Sequence, residues 1–175
     1  MKKILITGAC GFIGSHLTEM MVEKGYNVIA FDRYNSNNDY GWLNNSKYKK
    51  HIEFELGDIR DFDSVYDSMK ESKIVFHLAA LIGIPYSYSS PLAYLKTNTE
   101  GTYNILESAR KLSYEDVIIT STSEAYGSAV YTPIDENHRI LGQSPYSASK
   151  IAADQLALSY FKSFDLPVKI LRPFN

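Results

Sequence analysis

The sequence predicts an α/β fold, a doubly wound parallel sheet with helices on both faces. Three observations predict it. Short β-branched runs alternate with longer segments of helical period along all 175 residues. The runs are almost continuously apolar, as strands covered on both faces must be, rather than alternating apolar with polar. A glycine-rich turn joins the first run to the first helical segment.

The elements follow in order. Strands are expected at 3–7, 27–31, 51–56, 73–78, 116–120 and 168–171, and helices at 12–24, 61–71, 91–111 and 145–164. The last helix opens with Ser144 as N-cap and Pro145 at its first position. Right-handed crossovers between six strands give the expected order 3-2-1-4-5-6. Residues 32–50, polar and rich in Asn and Tyr, read as a loop with at most a helical turn. Residues 126–144 form a second long connection broken by Pro133 and Gly142. Loops of that length in a compact domain are usually functional.

Composition narrows the class. Of the residues, 45% are hydrophobic and 22% charged, too apolar for a disordered chain. A formal charge of −2 gives no basic field for nucleic acid or anionic lipid. The first six residues imitate a signal peptide, but Gly8, Gly11 and Gly14 interrupt it, and the apolar stretch 74–84 holds His77 and Gly83. It is far short of the ~20 residues of a membrane helix. Cys10 is the one cysteine, which excludes an intrachain disulfide framework. The expectation is one soluble cytoplasmic domain with no metal site.

The turn reads Thr7-Gly8-Ala9-Cys10-Gly11-Phe12-Ile13-Gly14. A phosphate at a helix N-terminus meets free N–H groups and the positive dipole end, but a β-carbon there would block it. The third glycine lets helix and strand pack closely. Asp32, 18 residues past Gly14 at the end of strand two, is placed to accept both hydroxyls of an adenosine ribose. It would repel a 2′-phosphate, so NAD is expected over NADP, with Arg33 beside it as the contrary sign. Cys10, inside the turn, reads as small packing.

Tyr146 and Lys150 lie four apart on the last helix and share a face. Bringing a tyrosine from ~10 towards 7 takes about 4 kcal/mol. A lysine cation and an oxidised nicotinamide supply much of it, and the phenolate then accepts a hydroxyl proton. Taken alone the pair reads as a surface pair; after a nucleotide turn and a Ser/Thr cluster at a strand end it reads as catalytic.

Together, Thr7-Gly8-x-x-Gly11-x-x-Gly14, Gly57-Asp58-Ile59-Arg60-Asp61, His77-Leu78-Ala79-Ala80, Asn98, Tyr146-x-x-x-Lys150 and Leu171-Arg172-Pro173 resemble an extended short-chain dehydrogenase/reductase. More narrowly, they resemble the NAD-dependent nucleotide-sugar epimerase/dehydratase family, with a Rossmann-type sheet. The resemblance puts Phe12, Ile13, Asp58, Ile59, Leu78, Ala79, Ala80 and Pro173 along the cofactor, and Asn98 behind the active-site helix. His77 alone reads as a core histidine at a strand end.

In such enzymes Thr122 would hydrogen-bond the sugar 4-OH, and 4,6-dehydratases follow that position with an Asp-Glu pair. Here the pair is Ser123-Glu124: the base is present, and a weak acid replaces the aspartate. Glu124 thus favours a 4,6-dehydratase over a 4-epimerase, with a non-catalytic NAD-binding module as the rival from another class. The runs 83–88, 121–124 and 143–150 look like the branch acting on nucleotide-linked N-acetylglucosamine, including legionaminic-acid-pathway enzymes. Tyr86 and Ser87, in a loop after strand four, and Asn175 would then face the substrate. The resemblance also implies a homodimer through the helices 91–111 and 145–164. It implies a C-terminal substrate domain beyond these residues, so the chain reads as a fragment.

Overall fold

The computed structural model describes residues 2–174. Six parallel strands, β1 (Lys3–Thr7), β2 (Asn27–Arg33), β3 (Ile52–Gly57), β4 (Ile74–His77), β5 (Asp116–Thr120) and β6 (Val168–Leu171), form one sheet in the order 3-2-1-4-5-6. The expected order therefore holds, with strand ends moved by a residue or two in β2, β3 and β4. Helices α1 (Phe12–Glu23), α2 (Phe62–Met69), α3 (Ile84–Ser89), α4 (Pro91–Tyr94), α5 (Gly101–Lys111) and α6 (Pro145–Phe164) complete the frame.

The strands alternate sides, and each side has its own core. Leu5, Ile29, Val75, Val117 and Ile119 pack under α2, α5 and α6, against Met69, Ile105, Leu106 and Ala157. Ile4, Ile6, Val28 and Ala30 face the other way, against Leu17, Met21 and Val22 of α1 and Leu43 of the 32–50 loop. Covering both faces explains why the runs are apolar throughout. Because every pairing is parallel, all six C-terminal strand ends reach one edge, where ligands of doubly wound sheets bind.

Two elements differ from the sequence reading. The segment holding Tyr86 and Ser87 is a helix, α3, with Pro85 in its first turn. Ser87 is fully buried with its hydroxyl donating to Ile84 O (2.6 Å), so it does not face a substrate. The helix expected at 91–111 is divided: α4 runs into a π-helical segment, Leu95–Glu100, before α5 begins. The 32–50 loop carries two short 3₁₀ turns, Gly41–Asn45 and Lys49–His51. Among the described residues, no helix is long and apolar enough to cross a membrane.

Candidate active site

The turn after β1 is shaped by its glycines. Gly8 has φ +69°, and a β-carbon there would lie 2.8 Å from Ala79 N at the end of β4. At Gly14 a β-carbon would lie 2.0 Å from Gly8 O, so only glycine lets α1 start this close to the strand. Gly11 caps α1, no side chain caps it, and its first turn holds no acid. The first-turn N–H groups and the dipole's positive end therefore face outward as an anion cradle.

Asp32 is locked against that cradle: its Oδ2 accepts from Cys10 N–H and its Oδ1 from Arg33 N–H, both at 2.7 Å. A carboxylate has about four acceptor positions, so each oxygen keeps capacity for a further donor. Burial, then the Asp32 charge, push the Cys10 thiol up to about 12, which leaves it inert packing.

A cleft of about 790 Å³ runs along the strand ends from this turn. Of the residues singled out by sequence, Gly8, Gly11, Phe12, Ile13, Gly14, Asp32, Asp58, Ile59, Leu78, Ala79, Ala80, Tyr86, Thr122, Glu124, Tyr146 and Pro173 line it. Asp58 carries an ion pair with Arg60 at 2.5 Å, and the guanidinium holds its carboxyl below the usual range. Sequence reasoning missed Arg60, Leu81, Ile82, Ile84, Ala93, Thr97, Thr120 and Ser121, which also line the cleft. Of these, Arg60, Ile84 and Ser121 lie inside runs already singled out for the resemblance, and the others carried no signal.

Four residues sit off the cleft. Asn98 is buried, with its side chain bonded to Leu81 N–H (2.8 Å), Leu81 O (2.9 Å) and Ser149 Oγ (3.0 Å). It braces the wall and α6 rather than lining the cofactor side. Ser123 does not line the cleft, and its backbone N–H donates to Pro173 O (3.2 Å). Lys150 and Ser87 are buried. Asn175 lies outside the described residues.

Local chemistry sets the start of α6. Ser144 and Ser147 form a reciprocal capping box and Pro145 opens the first turn. That puts Tyr146 at the cleft, only 7% exposed, with Tyr94 edge-on at 6.2 Å between ring centroids. One turn on, Lys150 donates from Nζ to Thr120 O at the end of β5 (2.7 Å). Burial brings its ammonium down to about 8, opposed by the negative charge of Asp154 one turn further. Asp154 is itself wholly buried, accepting from Ser121 Oγ (2.9 Å) and Arg172 Nε (3.0 Å). Thr122 begins the 3₁₀ turn Ser123–Tyr126, its Oγ1 accepting from Glu124 N–H (3.2 Å).

A glycine cradle at β1, a fixed acid on β2 and a Tyr–Lys helix packed on β5 make an extended short-chain dehydrogenase/reductase with a Rossmann-type sheet. The chain belongs to the family described as GDP-mannose 4,6 dehydratase, whose model matches residues 5–175. It is 37% identical over 98% of its length to a putative UDP-glucose 4-epimerase of Methanocaldococcus jannaschii, spanning 55% of that protein. It is 34% identical over its whole length to a dTDP-D-glucose 4,6-dehydratase of Dictyostelium discoideum, spanning 44% of it. A dTDP-glucose 4,6-dehydratase from Streptomyces venezuelae, solved with NAD bound, superposes with a TM-score of 0.89 at 29% identity, over 97% of this chain and 55% of that one. The chain thus spans about half the length of the curated relatives it matches.

Proposed function

We propose that these residues are the cofactor-binding and catalytic domain of an NAD-dependent nucleotide-sugar 4,6-dehydratase acting on a nucleotide-linked N-acetylhexosamine. The observation that carries the reaction is Glu124 lining the same cleft as Thr122 and Tyr146. NAD fits the residues present: the Gly8–Gly14 cradle admits a pyrophosphate that β-carbons would exclude, and Asp32 has acceptor capacity for two ribose hydroxyls. When bound, NAD supplies a reversible hydride acceptor.

The chain's own groups do the rest. Thr122 and Tyr146 hold the 4-hydroxyl, and Tyr146 takes its proton as C4 becomes a ketone. Lys150, with one N–H of its ammonium on Thr120 O, has two left to orient the groups around Tyr146. The ketone acidifies C5, and Glu124 takes that proton. Ser123 is too weak an acid to protonate the departing 6-hydroxide directly, so Glu124 returns the proton it has just received. The hydride lost from C4 ends on C6, a solvent proton adds at C5, the proton held by Tyr146 returns to solvent and water is released, so the overall change is redox-neutral.

The nucleotide of the substrate is gripped by a second unit outside these residues. The relatives' twofold greater length supports that division. Pairing of two copies through α5 and α6, and a cytoplasmic setting consistent with a single buried cysteine, belong to the same reading. The test uses UDP-N-acetylglucosamine deuterated at C4. Deuterium at C6 with solvent hydrogen at C5 supports the dehydratase. Deuterium returned to C4 with inversion identifies a 4-epimerase, the reading favoured by Ser123 standing where dehydratases carry an acid.

A further inference from the structure

His77, the last residue of β4, is 2% exposed and takes no part in the chemistry above. Both ring nitrogens are nonetheless bonded, Nδ1 to Thr7 Oγ1 (2.7 Å) and Nε2 to Thr102 Oγ1 (3.2 Å). The hydroxyl hydrogens fix the direction of each bond. Thr102 spends its one hydrogen on Asn98 O (2.6 Å), so it must accept from His77 Nε2–H. In the neutral ring that this burial favours, Nδ1 is then bare, and Thr7 Oγ1–H donates to it while accepting from Ala79 N–H (3.2 Å). Every donor in the chain Ala79–Thr7–His77–Thr102–Asn98 is used once and points the same way. Burial, reinforced by the nearby Lys150 cation, brings the imidazole down to about 3 and keeps it neutral.

Each end of this relay reaches a working part. Thr7 directly precedes Gly8, the first glycine of the cradle. Asn98 bonds Ser149 Oγ, which donates to Tyr146 O (2.7 Å) on α6. Thr99 adds a second tie, from Oγ1 to Ser149 O (3.1 Å).

We propose that His77 is a positioning residue, locked as the neutral Nε2–H tautomer, that fixes the catalytic helix carrying Tyr146 relative to the glycine turn. The Nε2 hydrogen stands on the hydrogen bonds and the neutral ring on its burial; the effect on turnover rests on the dehydrogenase-type chemistry proposed above. Spectroscopy tests the first part. In the full chain with ¹⁵N-labelled histidine, the ring nitrogens of His77 at pH 7 are expected to show one neutral Nε2–H form. An Nδ1–H tautomer, an imidazolium or averaging between forms overturns the proposal.

Two half-replacements test the second part. The amide of Asn reaches the Nδ1 position and that of Gln the Nε2 position, so His77→Gln keeps the link to Thr102 and His77→Asn cuts it. With UDP-N-acetylglucosamine, His77→Gln should keep kcat within about threefold, and His77→Asn should lower it about tenfold at unchanged KM, the worth of one buried hydrogen bond. Equal losses in both, tracking their melting temperatures, would make His77 plain core and refute the positioning role. A wild-type protein that carries the second unit and is still inert towards nucleotide sugars refutes the functional reading, while the tautomer measurement still decides the relay.

Discussion

Lys150 offers a prediction whose sign changes with pH. Its ammonium is buried and brought from the ordinary 10.5 down to about 8, chiefly by desolvation. At about 1.4 kcal/mol per pH unit, that depression means the folded state carries a penalty of about 3 kcal/mol while the group is charged. Below pH 8 both folded and unfolded chains hold the proton and the penalty is fully felt. Between about 8 and 10.5 the unfolded chain binds more protons than the folded one, so stability from this group rises with pH. Lys150→Met keeps the stem and removes the charge, at the cost of the bond to Thr120 O, about 2 kcal/mol. The variant should therefore be about 1 kcal/mol more stable than wild type at pH 7, about 3 °C in Tm for this size. At pH 10.5 it should be about 2 kcal/mol less stable, because the neutral amine still donates in wild type. Urea unfolding of both proteins at the two pH values measures the difference directly, and turnover should be lost at both. A difference that stays constant across that interval would show that Lys150 is not the desolvated group described, and the argument fails.

Three further outcomes are expected. Gly14→Ala forces a β-carbon against Gly8 O, which is backbone and must move; a cost of about 1–3 kcal/mol and loss of NAD binding by calorimetry should follow. Retained cofactor affinity would exclude the cradle as the phosphate site. Glu124→Gln should leave C4 oxidation intact but stop the reaction at the 4-keto sugar, seen as NADH absorbance that persists; full turnover would remove Glu124 from the mechanism. Arg172→Met strips the guanidinium from buried Asp154 and should cost about 3 kcal/mol in urea unfolding, since an unpaired buried charge remains. A loss well below that would show that the pair does not carry the buried, uncompensated charge described.

Much of this was legible because its causes are local. β1, β5, β6 and α6 have the predicted bounds: the strands are short apolar runs, and Ser144-Pro145 is a complete start signal. The glycine turn and Asp32 could be read because their spacing is itself the geometry. α3 was not legible, since Gly83-Ile84-Pro85-Tyr86-Ser87-Tyr88 carries turn residues. Its helix is held by tertiary contact, with Tyr94 donating to Gly83 O (2.5 Å). Nor could sequence show that Ser87 is buried, whereas the bracing of the active-site helix by Asn98 was already implied by the family resemblance. The Asp154–Arg172 and Thr7–His77–Thr102 contacts join residues far apart in the chain, and spacing carries no trace of them.

The wide turn at Leu95–Glu100 has one more consequence. A π segment slips one extra residue into the coil, and each residue of a regular helix sweeps about 100°. Tyr94, which anchors α3, and Ile105 and Leu106, which pack under the sheet, therefore belong to two phases that no uniform coil can satisfy together. Shortening this stretch by a single amino acid would allow a regular helix, yet swing the whole of α5 by roughly a quarter turn and drag Asn98 and Thr102 off their partners.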